Sequence, residues 1–202
     1  MAISTRLASN SLVQRFRRAF RVDRRSRGRQ TIVAASEALE CRQLLSATVS
    51  YVGGEIHVEG TEDADMLVVG QHPTNPTLLR VVSIDSLSPQ VYHFAKAAVN
   101  RIVINGHGGD DSIINLTDIP SELNGGDGRD RIYGGSANDV IHGGSDEDRI
   151  FAGDGNDVVD GGTHDDYIVG SGGNDTLSGG HGNDILNGDT VFDTPTTIPF
   201  VE

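Results

Sequence analysis

The sequence predicts an all-β chain whose main body is a solenoid. Three observations carry this. From Gly125 to Asn187, glycine and aspartate return at a fixed nine-residue interval, and a constant period marks stacked repeats. Between Thr48 and Asn105, short runs rich in Val and Ile alternate with turn residues. Ordinary core material is scarce: 202 residues hold no Trp, six Phe, four Tyr and 26 Gly.

Residues 1–46 form a basic leader, expected to be disordered or processed. Residues 1–42 carry ten Arg against Asp23, Glu37 and Glu40, a net of +7. The other 160 residues carry six basic and 26 acidic side chains, a net of -20. Such asymmetry marks a tail with a role of its own. The acidic body should repel nucleic acid and attract cations. No aromatic platform or recognition motif accompanies the arginines, so nucleic acid is not an expected partner. No apolar run reaches the ~18 residues of a membrane helix, so membrane insertion is not expected. Cys41 is the single cysteine and cannot form an internal disulfide. The stretch "EALECRQLLSA", Glu37 to Ala47, resembles the N-terminal signature of exported bacterial LEPR-xLL proteins. Leu39, Glu40, Arg42, Leu44 and Leu45 match, and Cys41 stands where that family has Pro. The resemblance implies export, hence a secreted or cell-surface location.

Residues 47–105 form a β-rich region, either a degenerate solenoid or a cap. "TVSYV", "EIHVE", "MLVVG", "LLRVVSI", "VYHF" and "RIVIN" are short and partly alternating. Gly53-Gly54 predicts a tight hairpin turn, and Pro73, Pro76 and Pro89 predict loops. Gly60 to Val68 has glycine, acid and apolar residue at the spacing of the later array, like a worn copy of one repeat.

The array itself occupies residues 106–193, followed by a tail, 194–202. Seven consecutive units run without insertion: GGDGRDRIY, GGSANDVIH, GGSDEDRIF, AGDGNDVVD, GGTHDDYIV, GSGGNDTLS and GGHGNDILN. GHGGDDSII, Gly106 to Ile114, fits as well. Ten residues, Asn115 to Asn124, separate it from the rest and predict an irregular half-turn. The eighth position is always aliphatic: Ile113, Ile132, Ile141, Ile150, Val159, Ile168, Leu177 and Leu186. One inward aliphatic per strand builds a thin continuous core. Glycine permits positive φ and close backbone approach. Turned backbone exposes carbonyl oxygens, and the sixth-position aspartate adds a carboxylate. Carbonyls and carboxylates suit calcium, which takes about 6–8 hard oxygen ligands.

The period resembles the G-G-x-G-x-D-x-U-x nonapeptide of the repeats-in-toxin (RTX, haemolysin-type) calcium-binding family. The resemblance implies a right-handed parallel β-roll. In that family the first six residues of each unit turn and bind calcium, the last three make a short strand, and two units complete a coil. Eighteen-residue spacing then sorts the acids. Asp111, Asp130, Asp148, Asp166 and Asp184 are expected along one edge. Asp139, Asp157 and Asp175 are expected along the other, which Asp193 could end. With the loop glycines Gly125, Gly126, Gly128, Gly134, Gly143, Gly153, Gly155, Gly161, Gly172, Gly179, Gly180 and Gly182, they form the candidate metal sites. Asp127 and Asp154, at the third position, are expected to assist. About five internal calcium sites follow.

Some units depart from the pattern. The fourth glycine is replaced by Ala137, Asp146 and His164. If that position needs positive φ, Ala137 fits worst, which makes Asp130 a safer ligand than Asp139. Sites touching Asp148 and Asp166 are expected to be weaker or empty. His142, His164 and His181 are expected as exposed residues rather than ligands. Ile114, Tyr133, Phe151 and Val169 share the ninth position and predict an outward apolar stripe, packed on the Thr48–Asn105 strands, on a partner, or simply on itself.

No H-E-x-x-H zinc motif or G-x-S-x-G elbow is present. The expected function is an exported calcium-binding structural or interaction module without catalysis. The alternatives are a calcium-dependent hydrolase or sugar-modifying enzyme on the solenoid, which needs a cleft and carboxylates of raised pKa, or a repeat module of a larger secreted assembly.

Overall fold

In the computed structural model the described residues are 47–84 and 89–189. The leader, its export-like segment up to Ser46, the tail and Asp193 lie outside them.

The short runs all form strands. They are β1 (Thr48–Val52), β2 (Glu55–Glu59), β3 (Met66–His72), β4 (Asn75–Ile84), β5 (Pro89–Ala95) and β6 (Arg101–Gly108). The array supplies β7 (Ser112–Asn115), β8 (Ser121–Asp127), β9 (Arg131–Tyr133), β10 (Val140–Ser145) and β11 (Arg149–Asp154). It ends with β12 (Val158–Thr163), β13 (Tyr167–Gly172), β14 (Thr176–His181) and β15 (Ile185–Asp189). β1 and β2 form the expected hairpin, with Gly53 at φ 64° and Gly54 at φ 98°. Of the prolines, Pro73 lies in a turn, whereas Pro76 sits near the start of β4 and Pro89 opens β5. At those strand ends the missing N–H costs no ladder bond.

The strands build a solenoid of two sheets. One has the order β1-β2-β6-β8-β10-β12-β14 and the other β15-β13-β11-β9-β7-β3-β4-β5. The chain alternates between them coil by coil: β2 then β3, β6 then β7, β8 then β9, and so on to β14 then β15. Each strand pairs in parallel with its counterpart in the next coil, as in Ile141↔Val159 and Ile150↔Ile168. The β-rich region 47–105 belongs to the same sheets. β2 pairs in parallel with β6 and β3 with β7, while β1, β4 and β5 close the near end antiparallel.

Most strands are longer than the family pattern implies. β10, β11, β12, β13 and β14 each cover six residues, from position seven of one unit to position three of the next. The ladder continues through the glycine pair because glycines of adjacent coils lie in register, Gly126↔Gly144↔Gly162↔Gly180. The irregular stretch 115–124 is a degenerate repeat with Asn115 inserted ahead of it. Leu123 holds its aliphatic position, in register with Ile141, and Ser121 stands where an aspartate is expected. Asn115 Oδ1 accepts from the Thr117 N–H and hydroxyl, at 3.0 and 2.8 Å, and shapes the detour.

The eighth-position side chains fill the interior. Ile113, Leu123, Ile132, Ile141, Ile150, Ile168 and Leu177 are fully buried, joined at the near end by Ile56, Leu67, Val81, Ile102 and Ile104. The ninth-position stripe lies on the outer face of the eight-stranded sheet. Tyr133 and Phe151 stack with ring centroids 5.1 Å apart. The Thr48–Asn105 strands do not cover this stripe; they lengthen it, since Val68 pairs with Ile114, Val82 with Val68 and Val91 with Val82. Val169 is the one member that is buried.

Ile150 sits between Ile132 and Ile168 in a one-residue-wide core. Ile150→Ala should therefore cost about 2–5 kcal/mol, read as a lower denaturant midpoint in saturating calcium. The exposed Val158→Thr should stay within about 0.5 kcal/mol. Equal effects of the two would contradict the assigned core.

Candidate metal centre

The sixth-position aspartates stack into two buried columns at the two edges where the chain passes between sheets. In the first column the Asp65 N–H donates to Asp111 Oδ1 at 2.7 Å, Asp111 N–H to Asp130 Oδ1 at 2.8 Å, and Asp130 N–H to Asp148 Oδ1 at 2.8 Å. The column continues through Asp148 N–H to Asp166 and Asp166 N–H to Asp184, at 2.8 and 2.9 Å. In the second, Ser121 N–H donates to Asp139, Asp139 N–H to Asp157 and Asp157 N–H to Asp175, at 2.8, 2.8 and 3.0 Å. The assignment of acids to edges agrees with the eighteen-residue sorting, including Asp111 across the irregular half-turn.

These carboxylates are not solvated. Asp111, Asp130, Asp139, Asp148 and Asp157 are each 1% exposed. Oδ1 of each of these five aspartates accepts a backbone N–H. Oδ2 of Asp111, Asp130, Asp148, Asp157 and Asp166 is buried without a hydrogen-bond partner. Burying an uncompensated charge is costly, and the usual response is a pKa shift. Burial pushes Asp148 up to about 8, Asp111 and Asp157 to about 7, and Asp130 and Asp166 to about 6. Neighbours in the column add to it: Asp130 and Asp166 repel the charge on Asp148, and Asp139 and Asp175 that on Asp157.

The glycines complete a cradle. A Cβ at Gly125 would strike both Asp130 Oδ2 and the Gly143 carbonyl oxygen, and Gly143 and Gly161 stand in the same relation to Asp148 and Asp166. Thus carboxylate and carbonyl oxygens of successive coils converge where a side chain would stand. Second- and fourth-position residues turn the loop through positive φ, as at Gly126 (122°) and Gly128 (118°), Gly153 (109°) and Gly155 (134°), and Gly180 (89°) and Gly182 (154°). Among the described residues no three His, Cys, Asp or Glu side chains converge on one point. The donor set is therefore one carboxylate oxygen per step plus backbone carbonyls. An all-oxygen set with one uncompensated negative charge per step fits a hard divalent cation such as calcium.

The remaining candidates divide. Gly134 faces Asp139 Oδ2, Gly179 faces Asp184, and Gly172 is a third-position glycine near Asp154. Asp127 and Asp154 are exposed and stand outside the buried columns; Asp127 Oδ1 instead accepts the Ser145 hydroxyl at 3.0 Å. Asp146 and His164 adopt positive φ, 73° and 79°, so their loops keep the path of the glycine loops. The weakness expected at Asp148 and Asp166 has no counterpart in the geometry, because Asp and His tolerate this region better than most residues. His142, His164 and His181 are exposed.

Several members of the site were not singled out from sequence. Asp65 heads the first column, Ser121 heads the second, and Gly173 is the fourth-position turn of its unit at φ 125°. Each carried a signal. Asp65 holds the sixth position of the worn copy at Gly60, and Ser121 falls 18 residues before Asp139.

Comparison with known proteins agrees with this geometry. Residues 124–159 and 160–195 match the RTX calcium-binding nonapeptide repeat, a model of four copies. No curated protein and no solved structure matches the chain.

A carboxyl whose folded pKa lies above its unfolded value of about 3.9 binds its proton more tightly in the folded chain. Its stabilising contribution is full below pH ~4 and is lost as pH rises through the folded pKa. With folded values of about 6 to 8, the metal-free protein should lose stability from pH 5 to pH 8. Urea midpoints in chelator check this, and a higher midpoint at pH 8 would contradict the buried, uncompensated columns. Calcium affinity should fall over the same range on acidification, because protons compete for the same oxygens.

Proposed function

We propose that this chain, which carries RTX calcium-binding nonapeptide repeats over residues 124–195, is an exported module whose β-solenoid is made stable by calcium and serves a structural or interaction role. The observation that carries this reading is the set of buried carboxylate oxygens left without a donor at regular steps along the first edge, at Asp111, Asp130, Asp148 and Asp166, and at Asp157 on the second. Bound calcium supplies the positive charge that lets these aspartates stay ionised inside the protein. The chain's own residues do the rest. The Asp130, Asp148 and Asp157 Oδ1 atoms are fixed by backbone N–H groups of the preceding coil. The cradle glycines bring carbonyl oxygens beside Oδ2. The number of ions follows the number of such steps, about five within the described array.

Export is supported by the resemblance of Glu37 to Ala47 to the LEPR-xLL signature and by the match to a calcium repeat. Extracellular modules can work with sites of about 10⁻⁴–10⁻³ M because calcium is plentiful outside cells. Under this reading the array stays loose where calcium is scarce and folds where it is abundant. Among the described residues no helix is long and apolar enough to cross a membrane.

An enzyme on the solenoid would need an accessible carboxylate of raised pKa beside a cleft. A groove of about 550 Å³ does run along the first column, walled by Asp110, Arg131, Glu147, Arg149, Asp165 and Tyr167. The raised carboxyls of Asp130, Asp148 and Asp166 line the same groove but are at most 2% exposed, too little for a substrate to reach. This favours the binding module over catalysis.

Far-UV circular dichroism during a calcium titration, reversed with chelator, tests the reading. A cooperative gain of β-signal with calcium, lost on chelation, is expected. Identical β-content in both conditions at neutral pH would sink it.

A further inference from the structure

The loops of this array are of two kinds. In seven of them the second and fourth positions both have positive φ: 107/109, 126/128, 144/146, 153/155, 162/164, 171/173 and 180/182. Among the loops that end in an aspartate, two, at 60–65 and 134–139, have it at neither position, and so does the degenerate 116–121 loop that ends in Ser121. The two aspartate-bearing loops of this second kind also differ in their carboxylates. The Gly135 N–H donates to Asp139 Oδ2 at 2.8 Å, and the Thr61 N–H and hydroxyl donate to Asp65 Oδ2 at 2.6 and 2.9 Å. Asp139 Oδ1 is also doubly used, by the Ser121 N–H and hydroxyl, both at 2.8 Å. In the 106–111 loop, by contrast, Asp111 Oδ2 is buried with no partner and lies against the cradle at Gly106, where the Gly125 carbonyl converges on it.

We propose a specific calcium map that rests on the calcium reading above: the 111/130, 130/148, 148/166, 166/184 and 157/175 intervals take cations, whereas the 139/157 and 65/111 intervals are closed by the protein's own donors. The map departs from the family match in both directions. It adds a site whose Asp111 loop lies before residue 124, where the match begins, and removes one inside it. The cause of the closed loop is Ala137. A Cβ makes left-handed backbone cost roughly 1–2 kcal/mol, so Ala137 keeps negative φ. The loop then follows another path, hydrogen-bonded from the Ser136 N–H to the Thr117 carbonyl at 2.9 Å. On that path the Gly135 N–H falls on Asp139 and stands in for a cation. Asp146 and His164 at the equivalent position do enter the left-handed region, and their aspartates stay open.

The test is calcium stoichiometry of the full chain, by calorimetry after removal of metal, with circular dichroism to confirm folding of each variant in calcium. Ala137→Gly is expected to bind about one more ion than the parent protein, since it allows the loop the turn its neighbours make. Asp139→Asn should leave the number unchanged, and Asp111→Asn should lower it by about one. An unchanged count in Ala137→Gly, or a lost ion in Asp139→Asn, would overturn the map while leaving calcium binding intact. A parent protein that takes up no calcium at all would sink both the map and the reading beneath it.

Discussion

The whole structure hangs on one hydrogen bond repeated coil after coil: the backbone N–H of a sixth-position residue donating to the aspartate carboxylate one coil on. Asp130 to Asp148 and Asp139 to Asp157 are examples, each at 2.8 Å. The bond fixes the register of neighbouring coils and satisfies a backbone donor that the turn would otherwise strand. It also sets the central difficulty. To receive the N–H, the carboxylate is buried, and in Asp111, Asp130, Asp148, Asp157 and Asp166 its second oxygen finds no donor. Columns of such groups, about 4.8 Å apart along the sheet axis, repel one another in a poorly hydrated space. A cation at each step, or a proton on each acid, removes the conflict.

The composition follows from that geometry. At Gly125, Gly143 and Gly161 the first position is glycine because carboxylate and carbonyl oxygens occupy the space of the missing side chain, whereas the 152–157 loop carries Ala152 there. The core needs only one aliphatic per strand, because each coil is a thin layer sealed by the coils above and below. The near end of the solenoid is built differently. Asp65 and Asp139 are served by Thr61, Ser121 and Gly135, and the antiparallel strands β1, β4 and β5 supply ordinary hydrogen-bonded edges. Dependence on cations is thus concentrated in the repeats beyond that end.

Much of this was legible in the sequence, for a physical reason. A strict nine-residue period forces equivalent residues onto one face, so the Ile132–Ile150–Ile168 ladder and both aspartate columns could be placed by counting. What escaped counting depended on breaks in the period or on backbone direction. Asp65 is separated from Asp111 by the excursion through β4 and β5, which hides that they are neighbours. Ser121 lacks the carboxylate that marks its position. The burial of the aspartates was unexpected, because acids in glycine-rich loops ordinarily face water. Ala137 did stand out from sequence as a poor fit. That its loop would turn the Gly135 N–H onto Asp139 follows from φ and not from residue type.

The most direct test of the central claim is to neutralise one buried carboxylate without changing its shape. Asp148→Asn keeps an oxygen to accept the Asp130 N–H and removes the charge that burial penalises most heavily. Its denaturant midpoint should be measured in chelator and in saturating calcium at pH 8. The variant is expected to be more stable than the parent protein without metal and less stable with it. Equal destabilisation in both conditions would contradict the claim that an uncompensated buried charge governs this fold.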